Sequence, residues 1–530
     1  MSMPRARAVS IGVATAVLGT AYLAWTPEVP DLAAQVARAH AARVMGTTTW
    51  WTGWFGGVSL PTYSIFVPSW MALVGVQLTG LLAVVAGSIA TTRLLRDARR
   101  PHAGAAAAVV AQVADLLDGR VTFAVGFALG AWALVALRSR RSLWCVAKAV
   151  ACFAASPLAG LFLGIVLLSV AYSHRSHRTA STVGAAVLVG AGGAMSFLFP
   201  GTGTMPFHGL DLVAPVAACI GVLTTCRISV LRVTALLLLA SVVAFFLYPG
   251  SVGENITRLA WIGAAPVAVA YSTMPSIRTV AMVLCLTIWP AGDLIGQLRS
   301  AAAESSQASF YRPVEAQVNR LRTAAGPSAA GRRVEVVDTA THWGSAYLSS
   351  LSLARGWDRQ FDRAVNPIFY EPDALTAASY RRWLGQLAVG WVALPSGRLD
   401  YASVEEGTLV RQGLPYLSPV WSSHDWSLYR VLAPTNLVSG ARLIRLGPDS
   451  VVVRTMKPGF VDVRVRWSSY LAIQAAATRA ETAGCVLDAG GWVRLYVPGA
   501  QTLSLISKFD PANRLRRTDA DCVANLGASQ

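Results

Sequence analysis

The first residues with a chemical character form one run, Pro30-Asp31-Leu-Ala-Ala-Gln35-Val-Ala-Arg38-Ala-His40-Ala-Ala-Arg43-Val-Met-Gly46. A carboxylate just after a proline and a glycine at the far end are helix start and stop signals. Helical spacing puts Asp31, Gln35 and Arg38 along one face. Trp50-Trp51-Thr-Gly-Trp54-Phe55-Gly56-Gly57 follows, and then Pro61-Thr-Tyr63-Ser64. Together these describe a carboxylate, a short helix and a rim rich in aromatic rings and glycine. Aromatic faces and exposed backbone are what proteins use to hold sugar rings and lipid head groups. Each part also has a plain alternative. An N-cap carboxylate adds about 1 kcal/mol to a helix, and tryptophans gather at membrane interfaces.

Further ionisable residues stand beside apolar stretches: Asp115, Asp118 and Arg120; His208 and Asp211 after Pro206; Glu254, Asn255 and Arg258; and Asp293. Such groups cost free energy near a bilayer unless paired or wet, so they point to a polar cavity. The plain reading leaves most of them solvated at the interface. In the C-terminal half, His342 and Asp338 read as a satisfied structural pair, since no nucleophile stands beside them. The sequence contains no GxSxG, HExxH or glycine-rich phosphate loop, and no CxxC or His/Cys spacing suited to zinc. No metal ligands are assigned. Five cysteines (Cys145, Cys152, Cys219, Cys226, Cys285) fall in or beside apolar segments and read as small hydrophobes. Cys485 and Cys522 are the two in the C-terminal half, and can form one disulfide if that half faces an oxidising compartment.

The elements that must position these residues follow from composition. The chain has 530 residues, 54% hydrophobic and 14% charged, against roughly 25% charged in soluble proteins. From Val9 to about Ile295 the chain is mostly Ala, Val, Leu and Gly; from Gln297 it reads like a soluble domain. Candidate spans are 8–25, 66–90, 103–117, 121–137, 142–155, 157–173, 181–199, 211–225, 228–247, 259–273 and 279–295. Basic clusters at Arg5/Arg7, Arg93/Arg96/Arg99/Arg100, Arg138/Arg140/Arg141, Arg175/Arg178, Arg227 and Arg278 provide a second signal. With eleven spans and the N-terminus inside, all of them fall on the cytoplasmic side. That parity needs a hairpin broken near Ser156-Pro157. The stretch Met1–Trp25 reads as an uncleaved first span rather than a signal peptide. The net charge of +18 then serves orientation, and nucleic acid is not an expected partner.

The expected fold is thus a polytopic α-helical membrane domain, 1–295, N-in and C-out, with its first extracytoplasmic loop at 26–65. A linker, 296–332, carries an amphipathic stretch Pro313–Leu321. An extracytoplasmic α/β domain, 333–435, rests on strands at 333–337, 389–394 and 426–432 and helices at 377–387 and 404–412. A β-sandwich-like domain, 436–530, rests on period-two strands at 451–455, 461–467 and 492–497.

The first loop resembles that of large polytopic glycosyltransferases of the GT-C superfamily. More narrowly, the chain resembles actinobacterial membrane proteins labelled 6-pyruvoyl-tetrahydropterin synthase-related. The likeness is carried by Asp31 through Ala39, Trp50 through Gly57, Tyr63 through Pro68, Gly119 through Phe123, Val252 through Leu259 and Ala354 through Gln360. The pterin label does not describe the chemistry, because the few histidines have no zinc spacing. The superfamily resemblance implies sugar transfer from a polyprenyl-phosphate donor to a cell-envelope glycan or lipid at the outer face of the plasma membrane. Asp31 takes the position of the catalytic base or metal ligand. Arg38, Arg120 and Arg258 are candidates to meet the lipid phosphate, with Trp54 and His208 as further substrate contacts. The chain departs from better-defined members in lacking a DxD pair; Glu28-Val-Pro-Asp31 is a loose substitute, so a divalent cofactor stays open. Two other functions stay open as well: a flippase for a lipid-linked precursor, opposed by the scarcity of charge deep in the spans, and a non-catalytic envelope assembly protein.

Overall fold

A computed structural model describes residues 17–514, apart from 18, 47, 48, 202, 330 and 481, together with Cys522. The chain divides into two compact units, Met1–Ala39 with Pro61–Ala302, and His40–Leu60 with Ala303–Gln530.

The first unit is helical: α1 (Pro30–Met45, which runs on past the division), α2 (Val67–Val74), α3 (Val76–Leu94), α4 (Pro101–Leu117), α5 (Val121–Arg138), α6 (Ser142–Ala155), α7 (Pro157–Ser173), α8 (Arg178–Leu198), α9 (Val213–Thr225), α10 (Ser229–Leu247), α11 (Arg258–Tyr271) and α12 (Ser276–Ala301). Among the described residues, five helices are long and apolar enough to cross a membrane: Val76–Asp97, Val121–Arg138, Arg175–Leu198, Ser229–Leu247 and Ile277–Ala301. Pro101–Leu117, Ser142–Ala155, Pro157–Ser173 and Gly209–Thr225 are apolar but shorter. This is the composition of a membrane protein, though not eleven full-length spans. The expected span 66–90 breaks at Gly75 into α2 and α3. Arg5, Arg7 and the first half of the expected span 8–25 lie outside the described residues. Leu236, Val243 and Leu247 on α10 and Leu284 and Ile288 on α12 are exposed, as hydrocarbon-facing side chains should be.

The basic loops share one end of this unit. Arg138 Nη1 donates to Leu94 O at 3.0 Å. Arg100 N donates to Ala270 O, Thr273 N to Thr225 O, and Ser229 Oγ to Ser173 Oγ. The break between α6 and α7 is at the opposite end from Arg141: Ser156 caps α7, with Pro157 in its first turn. Proline there has no N–H to lose and cannot continue α6.

The second unit gathers a mixed sheet and two antiparallel sheets. The mixed sheet has the order β3-β4-β6-β5 (Arg333–Val336, Val389–Pro395, Trp426–Val431, Leu417–Ser422). Its β3 and β4 are parallel and the rest antiparallel. The other two sheets are β12-β13-β10-β7 and β11-β14-β9-β8, built from β7 (Val438–Ser439), β8 (Arg442–Leu446), β9 (Ser450–Arg454), β10 (Gly459–Arg466), β11 (Leu471–Ala475), β12 (Cys485–Asp488), β13 (Trp492–Val497) and β14 (Thr502–Ser507). Alternation along β10 puts Val461, Val463 and Val465 into the core between them. Residues 296–332 are not a plain linker. The end of α12 and a further helix, α13 (Ala308–Ala325), occupy them, and α13 buries Phe310, Tyr311, Val314 and Val318. Three residues' spacing and then four put those side chains on one stripe.

The first loop is built into this second unit. A two-stranded ribbon, β1 (Trp50–Trp51) with β2 (Val58–Ser59), carries Trp50 into the core of the antiparallel sheets. Thr52 Oγ1 donates to Gly447 O at 2.8 Å, Leu353 N to Gly53 O and Arg466 N to Gly56 O. Gly57 has φ +139°, and a Cβ there would stand 2.6 Å from the Trp50 ring nitrogen, so the turn admits glycine alone. The Trp54 ring packs on Trp51, Phe55 and Gly356 and is 1% exposed. Trp54→Ala should therefore cost the second unit about 3–5 kcal/mol, read as a lower unfolding midpoint and earlier proteolysis of residues beyond 303. An unchanged midpoint would show that the loop adds nothing to this core.

Candidate active site

Asp31 lies in the first turn of α1, where a carboxylate meets the positive end of the helix dipole. Three residues, Asp118 to Arg120, separate α4 from α5. Gly119 takes φ +79°, and a Cβ there would come within 2.6 Å of Leu32 N. Glycine thus lets this turn press against the start of α1, which brings Arg120 to Asp31.

Arg120 holds four carboxylates. Its Nε donates to Asp31 Oδ2 at 3.4 Å, and its Nη2 to Asp293 Oδ2 at 3.5 Å. Its Nη1 lies 2.9 Å from Asp118 Oδ2 and 3.7 Å from Asp115 Oδ1. Exposure separates the four. The side chains of Asp115 and Asp118 are 10% and 9% exposed, those of Asp31 and Asp293 36% and 35%. Burial pushes the Asp118 carboxyl up to about 7; the Arg120 charge opposes this, and the neighbouring carboxylates add to it. The charges of Arg120 and Arg258 do not offset the burial and mutual repulsion of the four carboxyls, so a proton near neutrality stays in the cluster.

The other expected residues fall in different places. Arg258, at the start of α11, is close enough to Asp31 and Asp115 to interact with both, and its guanidinium lies 5.9 Å from the Phe123 ring centre. Arg38 is buried, its guanidinium 3.9 Å over the Tyr63 ring. Gln35 Nε2 donates to Tyr63 Oη at 2.5 Å, so the predicted face of α1 exists and its partner is Tyr63. His208 is exposed and its backbone N–H is capped by Asp211. It acts electrostatically on Glu254, which burial pushes up to about 7. Trp54 belongs to the second unit's packing, because its ring has almost no surface left for a ligand. Asp293 was one of several polar residues in the sequence, and nothing there tied it to Asp31. Its signal was a carboxylate in an apolar stretch, three residues after Pro290 inside α12.

Among the described residues, no group of three or more His, Cys, Asp or Glu side chains could hold a metal ion. In the second unit, His342 Nδ1 is 2.5 Å from Asp338 Oδ2, and Nε2 is 3.5 Å from Asp400. The imidazole also stacks on Trp357 at 3.5 Å. Asp400 takes two 2.8 Å hydrogen bonds from Arg359. Carboxylates thus face both ring nitrogens of His342. Cys485 and Cys522 form a disulfide.

No family model matches this chain, and no curated protein matches it either. The likeness to the pterin-synthase-labelled group therefore rests on the quoted segments alone. Two cryo-EM structures of the arabinofuranosyltransferase AftD from Mycobacteria are similar to it. One is 17% identical with a TM-score of 0.45, the other 16% identical with a TM-score of 0.43. Each covers 87% of this chain and 43% of its own, so the chain spans about two fifths of that protein's length.

The cluster makes a pH prediction. Asp118 titrates at about 7 when folded against 3.8 for a free carboxyl. Between those values the folded chain binds more protons than the unfolded one, so stability falls as pH rises. The wild-type melting temperature should drop between pH 5 and 7.5, and Asp118→Asn should make that slope shallower, Glu254 supplying part of the remainder. An equally steep slope in the variant would place the titration elsewhere.

Proposed function

We propose that the helical unit is a glycosyltransferase of the GT-C type, using a polyprenyl-phosphate sugar with Asp31 as the base. The observation that carries this reading is the half-exposed Asp31 carboxylate, oriented by Arg120 at the end of the bundle away from the basic loops. In the step proposed, an acceptor hydroxyl oxygen attacks the anomeric carbon as its proton passes to Asp31. The bond from that carbon to the phosphate oxygen breaks, and its electron pair leaves with the lipid phosphate, inverting the centre. Arg258, which interacts with Asp31 and makes no ion pair of its own among the described residues, is the candidate to meet that phosphate, and a guanidinium suits its oxygens. No step in this proposal is routed through a divalent cation.

Topology belongs to the same proposal. If the basic end is cytoplasmic, an eleven-span, N-in arrangement puts Asp31 and everything after α12 outside the plasma membrane. The Cys485–Cys522 disulfide supports that side, because such bonds persist in oxidising compartments. One observation favours a second reading, a scaffold without turnover: each carboxylate at Arg120 is already ion-paired.

One experiment separates the two. Purified full-length chain in nanodiscs, given polyprenyl-phosphate pentoses and hexoses and a set of methyl glycosides, should transfer sugar. Asp31→Asn should lower that rate by about 10²–10⁴-fold, the usual contribution of a general base, with an unchanged melting temperature. Transfer at the wild-type rate in the variant would remove Asp31 from the mechanism.

A further inference from the structure

Arg120 sorts its four carboxylates by edge as well as by depth. The buried pair, Asp115 and Asp118, faces Nη1. The half-exposed pair, Asp31 and Asp293, faces Nε and Nη2 with one oxygen each. Those two nitrogens form the edge that a single carboxylate ordinarily fills with both of its oxygens. Here two carboxylates share it, so they stand side by side, and each has a second oxygen that Arg120 does not bind. Both are open to solvent to nearly the same extent, 36% and 35%. An independent feature marks the same region as built for a polar guest. Gln35 Oε1, fully buried one turn along α1 from Asp31, has no hydrogen-bond partner among the described residues, and neither does the buried Oδ1 of Asp118. Buried oxygens of this kind are rare in a finished structure, and each calls for an occupant.

We propose that Asp293 is a specificity-determining residue of this site, and that it and Asp31 together receive two neighbouring hydroxyl groups of a sugar acceptor. The inference rests on the transferase reading and names what that reading leaves open, the chemistry of the acceptor. A carboxylate accepts hydrogen bonds and donates none when ionised. Two of them side by side select a group with two adjacent O–H donors and reject one in which a donor is missing. Arg120 keeps the pair together against its own repulsion and leaves the outward oxygens free. Asp31 then takes the proton of the hydroxyl that reacts, while Asp293 holds its neighbour and fixes which hydroxyl is presented.

Binding and turnover test this separately. Saturation-transfer NMR on the full chain in nanodiscs would compare a methyl pyranoside bearing adjacent free hydroxyls with its monodeoxy derivative. Wild type should prefer the diol by about tenfold, as expected for one hydrogen bond to a charged group. Asp293→Ala, which removes both accepting oxygens, should bind both alike. In the transfer assay the same variant should raise KM for the diol about tenfold, bringing it to that of the deoxy sugar. A merely structural loss would lower kcat for both sugars and leave their ratio intact. Asp293→Glu, which keeps the charge, should restore part of the preference. Equal binding of both sugars by wild type, or a preference that survives in Asp293→Ala, overturns the inference. Diol preference without any transfer would instead overturn the reaction and leave the diol site standing.

Discussion

Four carboxylates from α1, α4, the turn after it and α12 converge on Arg120, and none would be tolerable beside an apolar bundle without it. Removing one partner from a buried charge pair is far costlier than never having had it. The position of α12 relative to α1, the tight turn at Gly119 and the packing of that turn on Leu32 are all compatible with a single guanidinium location. The arrangement is also out of balance, with more anions than cations, and burial answers the excess by holding a proton on the inner pair. The outer pair is left partly exposed. One side chain thus divides a polar cluster into a supporting part and an accessible part.

The second unit meets a similar difficulty by other means. Arg355 lies among Asp362, Glu406 and Glu335, all buried. Burial pushes the Glu335 and Glu406 carboxyls up, so that one carries the proton it shares with the other. Nearby, burial lowers Arg333 to about 9, its Nη1 donating to Leu387 O. Arg355 anchors this core through Asp362 and Glu406, while Arg333 Nε and Nη2 stay without a hydrogen-bond partner among the described residues. Such a core specifies one packing more than it adds stability.

Much of this architecture was legible in the chain itself. Apolar runs and arginine clusters marked the helices and the end their basic loops share, because hydrocarbon tolerates little else. Ser156-Pro157 marked a break, and period-two valines marked β9 and β10. The face Asp31, Gln35 and Arg38 was readable from helical spacing. What escaped were relations between distant residues. No local pattern says that Asp293 and Asp31 meet the same arginine, or that Trp54 packs on a glycine some 300 positions on. The Trp cluster looked like an interfacial belt, since a tryptophan's preference for interfaces and its value in a core give the same composition. The supposed linker failed for a related reason: small residues at 296–332 look flexible until the stripe from Phe310 to Val318 finds a partner.

The placement of His40–Leu60 with the second unit also governs the order in which this protein can be made. The loop leaves the ribosome early, and residues 61–302 must follow before the first of its partners exists. At 5–20 residues per second, that interval lasts roughly 12 to 50 seconds. Throughout it, Trp50, Trp51, Trp54 and Phe55 have no core to enter. A nascent chain carrying four exposed rings beside an inserting membrane segment is a ready client for chaperones. Biogenesis, more than the finished fold, is then where this loop is most vulnerable.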